Sequence, residues 1–271
     1  MSELSRGRQR LLRRLGDRKG RAREGLVLVE GRRAVGAALA AGARFRFSLL
    51  SHGASPPEEE LARALENAGV EVVRLPKDEL TEFADTESPQ DVLAVAEEPA
   101  DELPEPQVEA AVEEERLREV ILVLDAVQDP GNVGTLIRSA VALGADRVLA
   151  LDGTVDPWNS KVVRSSAGLI FRIPVHRLEL GAALDWIEAR GFPLLVADAA
   201  GADVRERLGD FGGVGGAGFA LLLGNEGAGP REEALARATA QVALPLEEGV
   251  DSLNVAMAGT LLLWALGPGA R

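Results

Sequence analysis

Val120–Leu124 (VILVL) is five apolar residues in a row. A strand with one wet face alternates apolar and polar side chains, whereas a strand covered on both faces does not. The run therefore predicts a central strand with helices above and below it. Val133, Leu136, Ile137, Ala140 and Val141 then recur at helical spacing, and Val148–Leu151 reads as the next strand. The pattern continues with a helix over 161–167, a strand near 172–175, a helix over 182–190 and strands at 194–196 and 220–223. A short strand begins near Val242, and a last helix spans Leu253–Leu266. Strands alternating with helices predict an α/β fold in which residues 120–271 form a mostly parallel sheet with helices on both faces.

A second, smaller α/β module precedes it over residues 1–96. It reads as a basic helix over 6–15, strands at 26–30, 45–50, 70–74 and 92–96, and helices over 31–41 and 57–68. Residues 97–119 hold ten Asp/Glu with little apolar periodicity and read as an acidic linker. A chain of 271 residues fits two domains, and 46% hydrophobic with 27% charged residues excludes wholesale disorder and fibrous classes. The longest apolar stretch, Leu253–Leu266, is shorter than the ~18 residues of a membrane span. The N-terminus opens on arginines instead of an apolar signal segment, so the expectation is a soluble, cytoplasmic protein without a membrane partner. There is no cysteine, and the two histidines, His52 and His176, are far apart, so neither a thiol nucleophile nor a bound metal is expected.

The net charge of −13 conceals an asymmetry. Met1–Phe47 carries thirteen Lys/Arg against four Asp/Glu, which leaves −22 on the remainder. Such a basic segment suits contact with a polyanion, although a merely solvated Arg-rich helix has the same composition.

Gly213, Gly215 and Gly218 match the GxGxxG spacing of dinucleotide-binding turns. They precede a strand instead of following one, so no helix N-terminus would face a pyrophosphate, and a flexible loop is the better reading. Three other segments place polar residues at the ends of buried strands, where α/β sheets bind ligands. In Asp125–Arg138 (DAVQDPGNVGTLIR), Pro130 and Gly131 make a turn and Asn132 is placed to cap the next helix, with Thr135, Arg138 and Ser139 facing away from the sheet. In Leu221–Pro230 (LLLGNEGAGP), glycines that allow close backbone approach flank Asn225 and Glu226, and nothing structural demands a carboxylate there. In Val242–Val255 (VALPLEEGVDSLNV), Ser252 reads as a helix cap or a functional hydroxyl, while Asn254 interrupts an apolar helix and asks for a hydrogen-bonding partner.

In this order and spacing the three segments resemble the SpoU (TrmH-type) family of RNA 2′-O-ribose methyltransferases in the SPOUT superfamily. The matching motifs are Asn132-Val133-Gly134 with Arg138, Gly224-Asn225-Glu226-Gly227, and Pro245 followed by Ser252-Leu253-Asn254-Val255. A further family-like stretch runs from Asp156-Pro157-Trp158-Asn159 to Lys161, Arg164, Ser166 and Gly168. The N-terminal module resembles the L30-like substrate-binding domain of many members, closing on Pro89-Gln90-Asp91-Val92-Leu93-Ala94. Two departures stand out: Asp91 occupies a usual glycine position, and Leu246-Glu247-Glu248 stands where methionine and small residues are common.

The resemblance implies a deep trefoil knot in the C-terminal domain, a homodimer, and S-adenosyl-L-methionine as cofactor without a metal. It assigns the cofactor to Gly224, Asn225, Glu226, Gly229, Leu244, Pro245, Leu253 and Asn254, and catalysis to Arg138, Asn132, Glu226, Ser252 and Asn254. Because a guanidinium keeps its proton above about pH 12, Arg138 is read as binding the adjacent phosphate and stabilising the developing alkoxide. Glu226 would orient Arg138 or Asn132, while Ser252 and Asn254 would fix the ribose and the cofactor loop. RNA would be held by Arg8, Arg13, Arg18, Lys19 and Arg32 in the N-terminal module, with Lys161 and Arg164. Ribosomal RNA is favoured, since transfer-RNA members often carry short basic tails in place of an L30-like domain. The alternatives are a tRNA 2′-O-ribose methyltransferase and a non-catalytic RNA-binding assembly factor on the same fold.

Overall fold

The computed structural model describes residues 4–84, 90–105, 119–206 and 218–267. Most of the acidic linker, Pro89, Gly213 and Gly215 lie outside the described residues. The chain forms two compact units, Met1–Ala100 with Asp156–Arg172, and Asp101–Val155 with Ile173–Arg271.

The first unit holds a four-stranded mixed sheet in the order β1-β4-β2-β3. Its strands are β1 (Leu26–Glu30), β2 (Phe45–Ser51), β3 (Val72–Leu75) and β4 (Val92–Glu97). Strand β4 runs antiparallel to both neighbours, and β2 and β3 are parallel. Helices α1 (Arg6–Leu15), α2 (Arg18–Glu24), α3 (Arg32–Ala40), α4 (Pro56–Asn67) and α5 (Lys77–Thr81) complete the N-terminal part. Helix α1 buries Leu12 and Leu15 against Leu28, Leu49 and Val95 and keeps most of its arginines in water. Helix α4 starts at a capping box in which the Ser55 N–H donates to Glu58 at 2.8 Å.

Asp156–Arg172 belongs to this unit although it lies far along the chain, inside the stretch that reads from sequence as one continuous domain over 120–271. It contains α7 (Ser160–Ser165) and a 3-10 turn (Leu169–Arg172). Buried Arg21 donates to Asp156 through Nε (3.2 Å) and Nη2, and Arg164 Nη1 donates to Glu30 at 3.1 Å. At Gly168 (φ 78°) an added Cβ would stand 2.3 Å from the Ala34 carbonyl oxygen, so glycine is required for this approach to α3.

The second unit is built on a six-stranded, wholly parallel sheet in the order β10-β8-β9-β5-β6-β7. The strands are β5 (Glu119–Leu124), β6 (Arg147–Leu151), β7 (Val175–Leu178), β8 (Leu194–Asp203), β9 (Gly218–Leu223) and β10 (Ala240–Ala243). The unbroken VILVL run lies in β5, buried between β9 and β6 as its composition predicts. The remaining helices are α6 (Pro130–Ala142), α8 (Leu180–Ala189), α9 (Glu232–Ala236) and α10 (Val255–Leu266). Helix α8 packs Leu184 and Ile187 in one core cluster with Ile121 and Val123. Helix α10 meets α6 and β9 at Gly259, where an added Cβ would lie 2.3 Å from Leu223 and 2.5 Å from Leu136. Part of the acidic stretch is fastened to this unit: Asp101 accepts from the Arg177 backbone and guanidinium, and the Trp186 indole donates to the Pro104 carbonyl at 2.9 Å.

Two sequence readings change. The strand near 172–175 is the 3-10 turn followed by β7, because Pro174 offers no N–H to a ladder. The last helix begins at Val255 instead of Leu253. Among the described residues no helix is long and apolar enough to cross a membrane, and no cluster of three His, Cys, Asp or Glu could hold a metal ion.

Candidate active site

Strands β5 and β9 are neighbours, so the segments that leave their C-terminal ends run side by side. Ala126, just past β5, has φ 57°, a left-handed conformation that costs a non-glycine residue about 1–2 kcal/mol. Its carbonyl accepts from Asn225 Nδ2 at 2.8 Å, which ties the two segments together. Helix α6 is capped by Asp129, whose Oδ1 accepts from the Asn132 N–H at 2.8 Å. This corrects the reading of Asn132 as the cap. Asn132 lies within the first turn, and its side chain is free for other partners.

Those partners join all three motif segments. Asn132 Nδ2 donates to Glu226 Oε1 at 3.0 Å, and Asn132 Oδ1 accepts from Asn254 Nδ2 at 3.0 Å. Glu226 also accepts from the N–H groups of Gln128 and Asp129, both at 3.3 Å. Partial burial acts to raise the Glu226 carboxyl, but the Asn132 amide and the backbone donors outweigh it and hold the group below the usual carboxylate range. Asn254 is the cap of α10, its Oδ1 accepting from Ala256 (2.9 Å) and Met257 (3.3 Å). That resolves both open readings: Ser252 is not the cap, and Asn254 does not interrupt the helix but starts it.

Beside this chain of amides lies a cleft of about 630 Å³, within the range of small-molecule sites. Gly224, Asn225, Glu226, Gly229, Leu244, Ser252, Leu253 and Asn254 line it, whereas Pro245 does not. The sequence reading missed Ala197, Asp198 and Ala199, which lie in the middle of β8 and beyond the strand read at 194–196, and Asp251. Among the described residues the lining carries the carboxylates Asp198, Glu226 and Asp251 and no Lys or Arg. Such a wall opposes a phosphate-bearing dinucleotide and suits a nucleoside ligand with a positive centre, which is the character of S-adenosylmethionine.

Arg138 does not line the cleft, and Glu226 bonds Asn132, not Arg138. It is exposed on α6, and is the one arginine described in the second unit that makes no ion pair. Ser139, its neighbour, is bonded to Thr260 of α10 at 2.7 Å. The proposed RNA contacts divide. Arg8 is paired with Glu71, Arg13 with Glu82 at 3.6 Å, and Arg164 with Glu30, whereas Arg18, Lys19, Arg32 and Lys161 are exposed with no ion pair among the described residues. Arg21, also in the basic segment, is only 4% exposed and is a structural residue.

The family model of the SpoU rRNA Methylase family matches residues 119–264, and that of the MRM3-like substrate binding domain matches residues 8–94. A 23S rRNA (guanosine(2553)-2′-O)-methyltransferase of Bacillus subtilis (strain 168), RlmP, is 34% identical over 254 residues, covering 93% of each chain. A 23S rRNA (uridine(2479)-2′-O)-methyltransferase of Streptomyces viridochromogenes is 33% identical over 255 residues, covering 92% of this chain and 85% of the relative. The solved structure of the SpoU methyltransferase AviRb from Streptomyces viridochromogenes, in complex with AdoMet, superposes with a TM-score of 0.80 at 31% identity over 97% of each chain. With the family's domain matched over more than half the sequence and its three motifs hydrogen-bonded together beside one cleft, the chain belongs to the SpoU rRNA Methylase family.

Proposed function

We propose that this protein methylates a ribose 2′-hydroxyl of ribosomal RNA, with S-adenosylmethionine held in the cleft of the second unit and RNA held by cations of the first. The observation that carries the reading is the Glu226–Asn132–Asn254 chain at the cleft, which links one residue of each motif to a residue of another. When bound, the cofactor supplies a methyl group already made electrophilic by its sulfonium, so the protein must orient the hydroxyl and assist the loss of its proton.

The backbone of Gly224, Leu244 and Leu253 offers polar groups to the cofactor, and Glu226 holds the loop by keeping Asn132 in place. Ser252 and Asn254 fix the ribose side of the cleft. Arg138 grips a substrate phosphate through its planar fork and stabilises the 2′-oxygen as its proton passes to phosphate or water. Its lack of an internal counter-ion supports this role, since every other described arginine of the unit is already neutralised. Arg18, Lys19, Arg32 and Lys161 supply sequence-independent phosphate contacts.

A homodimer belongs to the same proposal. Met257, Leu261 and Trp264 lie at i, i+4 and i+7 on α10 and are 59%, 44% and 56% exposed, an apolar stripe that a second copy would cover. The trefoil knot expected of the family is also part of it, supported by the segment between β10 and α10 lining the same cleft as the loop after β9.

Tritiated S-adenosylmethionine offered with ribosomal or transfer RNA tests the reading. Label is expected in ribosomal RNA; label confined to transfer RNA, or none in either, would overturn it.

A further inference from the structure

The loop after β9 is rigid in itself. Asn225 and Gly229 exchange both backbone hydrogen bonds (3.1 and 2.9 Å), and Asn225 Oδ1 accepts from the N–H groups of Gly227 and Ala228, each at 2.9 Å. An added Cβ on Gly224 would stand 2.2 Å from the Pro230 nitrogen, so the turn has no slack. A loop this closed moves as one body, and its place in the cleft is set by whatever holds its two ends.

At the leading end the holders are Asn225 and Glu226, already described. At the trailing end it is Arg231. Its N–H donates to Asp125 Oδ2 at 3.0 Å and its Nε to Asp125 Oδ1 at 2.6 Å. The outer face of the same guanidinium donates to both oxygens of Asp152, at 2.9 Å through Nη1 and 3.2 Å through Nη2. Asp125 follows β5 and is fully buried, so it needs this counter-charge. Asp152 follows β6 and also accepts from the Leu180 N–H at the start of α8, at 3.1 Å. One side chain thus ties the loop to two strand ends and a helix, yet Arg231 is absent from the cleft wall.

We infer that Arg231 is a positioning residue for the methyl donor: bridged between Asp125 and Asp152, it fixes the loop that forms the donor site and so sets donor affinity without touching the donor. The inference rests on the assignment of the cleft to S-adenosylmethionine. Asp125 has no other use in the proposed chemistry, and a carboxylate with no exposed surface at the end of a central strand is otherwise costly.

The test is calorimetric titration of the full chain with S-adenosylhomocysteine, without RNA, beside steady-state methylation. Asp152→Asn keeps an oxygen for the Leu180 N–H and, being half exposed, spares the core while removing the outer charge. It should weaken binding about three- to fivefold, the scale of a partly exposed ion pair. Arg231→Lys keeps a charge for Asp125 but cannot span both carboxylates, and should weaken binding about tenfold. In both, kcat at saturating donor should stay within about twofold and the rise should fall on KM. Salt should weaken donor binding to the wild type more than to Asp152→Asn, a difference that simple destabilisation would not produce. Folded variants that bind like the wild type, or that lose kcat at unchanged affinity, would overturn the inference alone. A wild type that does not bind S-adenosylhomocysteine would overturn the cleft assignment and the inference together.

Discussion

The two units treat charge in opposite ways. In the first, Arg18, Lys19, Arg32 and Lys161 stand in water without an ion pair among the described residues, beside other arginines neutralised by Glu71, Glu24 or Asp156. In the second, carboxylates line the cleft and each described arginine but Arg138 is paired. A net charge of −13 describes neither. What matters for a partner is which charges remain after neighbours have neutralised the rest, and by that measure the first unit keeps the free cations proposed to meet RNA and the second the carboxylates proposed to face the sulfonium. Arg138 is where the contrast breaks down, the one unpaired arginine among the described residues of the acidic unit, as its proposed contact with substrate phosphate requires.

Substitutions can break or sharpen this contrast. Arg138→Ala should lower kcat by about 100- to 1,000-fold, the scale of removing one preorganised donor to a developing oxyanion. The affinity for S-adenosylhomocysteine should not change; a matching loss of cofactor binding would place Arg138 in the cleft instead. Glu226→Gln should cost about 10- to 100-fold in kcat/KM, because a charge-assisted acceptor of three N–H groups is replaced by a neutral one. The pH dependence follows the same group. Its folded pKa is depressed, so its stabilising contribution is full above the unfolded value near ~4.3 and disappears only as pH falls through the lower folded value. Acid titration of stability in Asn132→Ala, which removes the side-chain donor, should show this loss at higher pH than in the wild type.

Replacing Arg18, Lys19, Arg32 and Lys161 together by alanine should weaken RNA binding about tenfold and flatten the plot of log affinity against log salt by about 3. Cofactor affinity should be untouched, and a parallel loss there would erase the division of labour. The smallest effect is expected at the backbone. Ala126→Gly relieves a left-handed alanine but frees the unfolded chain, so denaturant titration should show a gain between zero and about 1 kcal/mol. A loss above that size would mean that the hydrogen bond from Asn225, not φ, governs this turn.

Much of the fold was legible. The VILVL run announced a central strand, and the basic helix read over 6–15 has the limits of α1. Helices α2, α5 and α9 escaped because five to seven residues carry too little periodicity. The length of β8 escaped too, since ADAAGAD consists of small residues and two aspartates, with none of the large or β-branched apolar side chains that mark a strand. At the site, Glu226 stood out because no local rule demanded a carboxylate there, and Asn254 because it was read as lying inside an apolar helix that it in fact caps. The cap of α6 was misread although Asp129-Pro130 carries the signal, proline being favoured at the first helical position. Free and neutralised arginines could not be told apart, because Arg21 and Arg164 find their partners 135 and 134 residues away. The contribution of Asp198 depends on β8 lying next to β9, a fact of sheet order that no local pattern carries.

Alkaline hydrolysis of ribosomal RNA labelled from tritiated S-adenosylmethionine tests the central claim most directly, since a 2′-O-methyl group blocks cleavage at its own nucleotide. Label recovered in alkali-stable dinucleotides with the wild type, and absent with Arg138→Ala, is the predicted result. Label recovered in mononucleotides with methylated bases would contradict ribose methylation, whatever the fold around it.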